Sequence, residues 1–245
     1  MLANVTVWAW IGAVGMLAGT VPSLWLWYRR PSEARYYATL AGVTGIAAVA
    51  YAAMGLGVGT VTTLGGTLPA ARYADWLLTT PLLIAYLALL VRADRRTIAT
   101  LIAVDVVVIA GGVVATATTG SVSWAAFALA SVAYLGLVYG LLVKLPRSAA
   151  ARADRVRAVF YTLRNITVVL WTLYPVVWLL APTGFDLLTP ATEMLVFVYL
   201  DFVSKVGFAL VAVGGADALA YVGTDASREV EDGAEPSPTG AESAD

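Results

Sequence analysis

The sequence contains no cysteine and no histidine. Without cysteine there are no disulfides, iron–sulfur clusters or thiol nucleophiles. Without histidine the usual zinc and haem ligands and the commonest general base are missing, so no metal site is expected. Charge is scarce as well. Only 13% of the 245 residues are charged, where a soluble domain carries about 25%. By contrast, 60% are hydrophobic and the mean hydropathy is +0.81. That balance excludes an ordinary water-soluble enzyme and a disordered chain. A net charge of −1 leaves no basic footprint for nucleic acid.

What the sequence has is long apolar runs. Seven stretches stand out, at roughly 4–28, 36–58, 70–91, 97–116, 121–144, 158–181 and 189–222. A bilayer-crossing helix needs about 20 apolar residues. Runs such as Leu101 to Val114 lack the polar–apolar alternation of barrel strands, so each is expected to be a helix. Seven such helices with short loops use up nearly all of the chain and leave no room for a second domain. The first run has no basic segment ahead of it, and Arg29 and Arg30 follow it. It therefore reads as a retained helix rather than a secretory signal.

Arginine and lysine fall in alternate loops. Arg29, Arg30 and Arg35 lie between the first two helices, and Arg92, Arg95 and Arg96 between the third and fourth. Lys144, Arg147, Arg152, Arg155 and Arg157 lie between the fifth and sixth. The positive-inside rule then puts the N-terminus outside and the C-terminus in the cytoplasm. Gly59 to Ala70 (GTVTTLGGTLPA) is expected to form a small extracellular hairpin with Gly65-Gly66 at its turn. The expected organisation is a seven-helix domain over 1–222 and an acidic, disordered cytoplasmic tail over 223–245.

An ionisable side chain inside a span costs about 2.5–3.5 kcal/mol on insertion scales; it marks a functional charge site or, as a single pair, a salt bridge that holds helices together. This chain keeps Arg72, Asp75, Asp105, Asp201 and Lys205 there, with Glu193 nearer the outer end of the last helix. Lys205 is the one lysine in the interior of any of the seven stretches, since Lys144 stands at the very end of the fifth. Desolvation favours its neutral, nucleophilic amine, which suits it to condense with an aldehyde. The protonated imine would then need an anion, and Asp201 lies one helical turn away. Arg72, Asp75, Trp76 and Thr79 follow at i, i+3, i+4 and i+7, one helix face. Two aspartates and an arginine would bring a buried cation close to neutrality. Trp171, Tyr174 and Trp178 form an aromatic stripe around Pro175. Such a stripe serves helix packing, or it walls a flat, apolar chromophore.

Three motifs in this order, RYADWLLTTPL at 72–82, WTLYPVVWLL at 171–180 and YLDFVSKVGF at 199–208, resemble the microbial (archaeal) rhodopsins over the whole seven-helix region. The resemblance implies an all-α integral membrane bundle around all-trans retinal, attached to Lys205 as a Schiff base. By the same motifs, Asp75 is counterion and proton acceptor, Asp201 a second counterion, and Arg72 part of the counterion complex. Trp76, Thr79, Thr80, Trp171, Tyr174, Trp178 and Ser204 would surround the chromophore, as would Val108, Gly112, Phe127 and Ser131.

Departures narrow the subtype. Chloride pumps of the family lack the aspartate found here as Asp75. Proton pumps carry a second carboxylate eleven residues later, where this chain has Tyr86, a phenol with an ordinary pKa of about 10. Glu193 matches one member of the pumps' release pair, but Thr183 stands at its partner's position. Sensory rhodopsin I needs a histidine that is absent here. The remaining pattern is similar to sensory rhodopsin II, with Ser204 where some members have threonine. That resemblance implies a blue to blue-green phototaxis receptor in the cell membrane, signalling through a two-helix membrane transducer. Tyr199 and Thr189 would contact that partner, unless Tyr199 bonds within its own bundle. The competing readings are a light-driven proton pump, a related sensor with no transducer, and a receptor or transporter for a diffusible ligand. None of these is an enzyme.

Overall fold

Seven helices, each long and apolar enough to cross a bilayer, make up most of the computed structural model, which describes residues 2–219 and residue 222. They are α1 (Leu2–Arg29), α2 (Ala34–Gly55), α3 (Ala70–Leu90), α4 (Arg95–Ala117), α5 (Gly120–Ala149), α6 (Asp154–Leu180) and α7 (Pro190–Gly214). The tail over 223–245 lies outside the described residues. Helices α4 and α6 begin earlier than the apolar runs indicate, because charged first turns belong to the helix but not to the run. Asp94 shows why α4 starts where it does. Its carboxylate accepts hydrogen bonds from the Thr97 hydroxyl (2.6 Å) and backbone N–H (2.9 Å). These bonds cap the helix and hold the Asp94 carboxyl below the usual carboxylate range.

Burial is uneven around the bundle. Over their most apolar windows α3 and α7 are each 56% buried, whereas α4 is only 17% buried. The intramembrane charges of α3 and α7 therefore lie inside the bundle. Helix α1 comes close to α2 and α7 because Gly12, Gly15 and Gly19 present no side chain there. A Cβ at these positions would stand 2.6 Å from Tyr51, 2.7 Å from Phe202 and 2.7 Å from Val206. Thr20 on α1 donates to Thr44 on α2 across 2.9 Å. At the end of the bundle that carries the basic loops, Arg30 bonds Asp217 at 3.1 Å and ties the α1–α2 turn to the chain after α7.

Two helices are not regular throughout. Residues Gly140–Lys144 of α5 and Phe202–Gly207 of α7 are wound as π-helix. The second of these contains Lys205, in keeping with the tendency of π-turns to mark functional sites.

The opposite end carries the hairpin, β1 (Val61–Thr63) and β2 (Gly66–Leu68). Its turn is Leu64-Gly65, not the expected Gly65-Gly66, since Thr63 pairs with Gly66. The reason is local. Gly66 takes φ +108° within the strand, a conformation that favours glycine. Gly65 lies directly against the last turn of α4, where its N–H donates to Ala117 O at 3.0 Å and a Cβ would stand 2.7 Å from Thr118 O.

Candidate functional site

The site forms where α3 and α7 face each other. Lys205, Asp75 and Asp201 are all at least 98% buried. The Lys205 ammonium bonds directly to Asp75 Oδ2 and lies 3.7 Å from Asp201 Oδ1. Thus the aspartate from the other helix, not the one a turn away, is the nearer anion. The two carboxylates have different surroundings. Asp75 accepts from the Thr79 hydroxyl at 3.2 Å. Asp201 accepts from Tyr51 Oη (2.6 Å), Tyr174 Oη (2.6 Å) and Trp76 Nε1 (3.1 Å). Three donors hold the Asp201 carboxylate in place, whereas the Asp75 carboxylate has one weaker side-chain donor besides Lys205.

Arg72 sits outward of this pair. It lies 3.7 Å from Glu193, donates to Met194 Sδ and stacks its guanidinium 4.4 Å over Phe197. Among the described residues Arg72 makes no ion pair with either aspartate, so any balance of charge between them acts through space. Glu193, from the first turn of α7, takes the arginine's charge.

A cavity extends from Lys205 between α3, α4, α5, α6 and α7. Of the residues expected around the chromophore, Trp76, Thr80, Val108, Gly112, Phe127, Ser131, Trp171, Tyr174, Trp178 and Ser204 line it. Thr79 does not; it lies behind Asp75. Along α6 the stripe of Trp171, Tyr174 and Trp178 faces the cavity, with Pro175 between them. The end far from Lys205 is closed by aromatic contacts. Phe127 stacks on Trp178 (4.2 Å between ring centres, 13° between planes), and Trp124 meets Trp178 edge-on at 5.6 Å.

Several lining or supporting residues carry no signal in the sequence. Tyr51 looks like any tyrosine in an apolar helix, yet it holds Asp201 from 150 positions away. Asp105 is conspicuous as a buried acid, but its partner, the Thr80 hydroxyl at 2.6 Å, is not. Tyr73, Tyr134 and Phe197 also line the cavity. Toward the basic end, Tyr86 is fully buried between Tyr36 and Phe208. Its hydroxyl has no hydrogen-bond partner among the described residues.

Tyr199 and Thr189 lie on the outside of the bundle. Tyr199 is 63% exposed, and its hydroxyl makes no hydrogen bond among the described residues. Thr189 is exposed at the start of α7, but its hydroxyl already caps that helix through the Thr192 N–H at 3.2 Å.

With this geometry in place, comparison with known proteins is informative. Residues 3–219 match the family model of bacteriorhodopsin-like proteins. The chain is 54% identical over 237 residues to sensory rhodopsin-2 of Halobacterium salinarum, covering 96% of this chain and 98% of that protein. It is 43% identical over 234 residues to sensory rhodopsin-2 of Natronomonas pharaonis, covering 92% and 98%. Among solved structures it resembles thermophilic rhodopsin from Rubrobacter xylanophilus, with a TM-score of 0.86 and 39% identity over 90% of this chain and 99% of that one.

Proposed function

The chain belongs to the bacteriorhodopsin-like family, and we propose that it is a retinal-based photoreceptor of the sensory rhodopsin II kind in a multi-pass membrane setting. The observation that carries this reading is the buried Lys205 at one end of an aromatic-walled cavity, between two carboxylates in unlike surroundings. The cavity's walls are mostly aromatic and aliphatic with a few polar groups at the Lys205 end, the make-up of a small-molecule site. A lone buried amine fits an aldehyde chromophore. Lys205 would hold all-trans retinal covalently, with Trp76, Trp171, Tyr174 and Trp178 against its length. Retinal, when bound, supplies visible absorption and a light-driven isomerisation beside Nζ.

The chain's own residues do the rest. Asp201 is held in place by hydrogen bonds from Tyr51, Trp76 and Tyr174. Asp75 takes the proton from Lys205 Nζ. Burial keeps water from competing for that proton and strengthens the Nζ–carboxylate interaction. Pro175 removes one backbone hydrogen bond from α6 between Trp171 and Trp178, so displacement at the cavity wall is expected to bend the helix there. Charge placement supports an outside N-terminus and a cytoplasmic basic end. In this reading light drives the change and no substrate is converted, so the protein would not act as an enzyme.

Tyr86 favours a sensor over a pump. It occupies the position at which, by the resemblance, pumps hold a carboxylate that returns the proton. Here that position is a phenol enclosed by Tyr36 and Phe208, without a hydrogen-bond partner among the described residues. After Nζ loses its proton, recovery should be slow, and azide should hasten it by carrying protons in as a small acid. Flash photolysis of the purified, retinal-loaded protein with and without azide measures this. Recovery as fast as that of the pumps and indifferent to azide would remove the sensor reading. Tyr86→Asp is expected to shorten recovery as well.

The partner that this reading requires is a two-helix membrane transducer docked on α6 and α7. A phenol facing lipid with its hydroxyl unpaired is disfavoured, so Tyr199 is the better anchor. Thr189, already engaged as a cap, would contribute less. Interhelical hydrogen bonds in membranes are worth about 0.6–2 kcal/mol, so Tyr199→Phe should weaken transducer binding a few-fold and Tyr199→Val more. A titration with a co-encoded transducer in lipid tests this. Unchanged affinity in both variants would mean that the docking face lies elsewhere.

A further inference from the structure

At the hairpin end of the cavity a single threonine joins three helices. Thr116 lies in the last turns of α4 and is 9% exposed. Its Oγ1 is 3.0 Å from Trp178 Nε1 on α6 and 2.6 Å from Tyr73 Oη on α3. An indole N–H can only donate, so Thr116 must accept from Trp178. Its hydroxyl hydrogen or its second lone pair then serves Tyr73. Among the described residues this is the only hydrogen bond made by the Trp178 indole. Stacking on Phe127 fixes one face of that ring, and Thr116 fixes its edge. Both aromatic partners of Thr116 line the cavity.

The threonine stands on a braced platform. Ala115 O, just before it, accepts from the Ser123 hydroxyl of α5 at 2.6 Å. Ala117 O, just after it, accepts from Gly65 N of the hairpin at 3.0 Å. The turn of α4 that carries Thr116 is therefore held from two sides. Trp178 is differently supported. It follows Pro175 by three residues, beyond the point where α6 lacks a backbone hydrogen bond.

We propose that Thr116 is a positioning residue for the far wall of the cavity. Its hydroxyl sets the plane of Trp178 in the dark and ties the segment of α6 beyond Pro175 to α4 and α3. Movement of that segment must break the tie, and return to the dark state must remake it. The hairpin and Ser123 supply the rigidity against which the tie acts. This rests on the photoreceptor reading only for its light-dependent part; the positioning of Trp178 does not need the chromophore.

The test uses the full chain in lipid nanodiscs with ¹⁵N-labelled tryptophan, before and after retinal is added. The Trp178 indole N–H resonance is assigned by its loss in Trp178→Phe. In Thr116→Val, which keeps the shape and removes the hydroxyl, that resonance is expected to move upfield both with and without retinal. In Thr116→Ser, which restores an acceptor, it is expected to return toward the wild-type position. Where the bond is remade by the time the barrier to the dark state is reached, recovery after a flash should slow in Thr116→Val by up to about fivefold, the factor that corresponds to one net hydrogen bond, and not in Thr116→Ser. If Thr116→Val does not fold, Thr116→Cys, a weaker acceptor, should shift the resonance the same way by less. An unmoved indole resonance, or serine and valine behaving alike, would overturn the proposal. An indole shift in a chain that forms no pigment with retinal would uphold the positioning role and remove the photoreceptor reading instead.

Discussion

Lys205→Ala is expected to yield a colourless protein that still assembles seven helices. The chain has two lysines. Lys144 is exposed at the basic end of α5, remote from the cavity wall that Lys205 lines. Truncation at 205 leaves no amine inside the bundle to which an aldehyde could attach, so added retinal should produce no visible band. The change also removes the cation shared by Asp75 and Asp201. Breaking a buried pair by deleting one partner costs about 3–5 kcal/mol where the remaining charge stays uncompensated. The two acids should not suffer alike. Asp201 keeps its three donors, Tyr51, Trp76 and Tyr174, and Asp75 keeps only Thr79. Asp75 is therefore the group expected to take up a proton, which limits the loss. Absorption after addition of retinal, together with a thermal melt followed by circular dichroism, measures both effects. A variant that gains colour normally would transfer the attachment point to Lys144.

Asp75→Asn is expected to shift the absorption band to the red by tens of nanometres. An anion beside Nζ stabilises the state in which positive charge sits on that nitrogen. Excitation moves the charge away along the chromophore, so the anion widens the gap. At an effective dielectric of about 20, two unit charges 4 Å apart interact by about 4 kcal/mol, and losing a share of that is visible on the scale of a photon. Because Asp75 bonds Nζ directly and Asp201 Oδ1 is 3.7 Å away, Asp75 should dominate. Acidification, which neutralises the same carboxylate, should shift the band in the same direction. The two acids face one cation, so the measured titration will belong to the cluster and not to one residue. A spectrum that does not move in Asp75→Asn, but does in Asp201→Asn, would exchange the two roles. The variant also removes the group proposed to accept the proton from Nζ, so the slow phase of recovery should disappear with it.

The features legible in the sequence share a physical cause. A charge in an apolar run is expensive, so Lys205, Asp75, Asp201, Arg72 and Asp105 stand out against their surroundings. Helical spacing then places Trp171, Tyr174 and Trp178 on one face, and all three do line the cavity. Relations between helices were not legible, because periodicity fixes a residue's face and not its height against a neighbour. Hence Tyr51 at Asp201, Thr116 between Tyr73 and Trp178, and Arg72 turned to Glu193 rather than to the aspartates became visible only in the assembled bundle. The π-helical turn around Lys205 has no local signature either. The hairpin was legible as an element, but the contact of Gly65 with the end of α4 moved its turn by one residue.

The account stands on one covalent assignment, and borohydride trapping tests it most directly. The retinal-loaded protein is reduced under illumination, which fixes the chromophore to whichever amine carries it, and is then digested and mapped by mass spectrometry. The account predicts that the label lies on the peptide containing Lys205, within YLDFVSKVGF at 199–208. Label on the peptide containing Lys144, or no label in a protein that is nonetheless coloured, would contradict it.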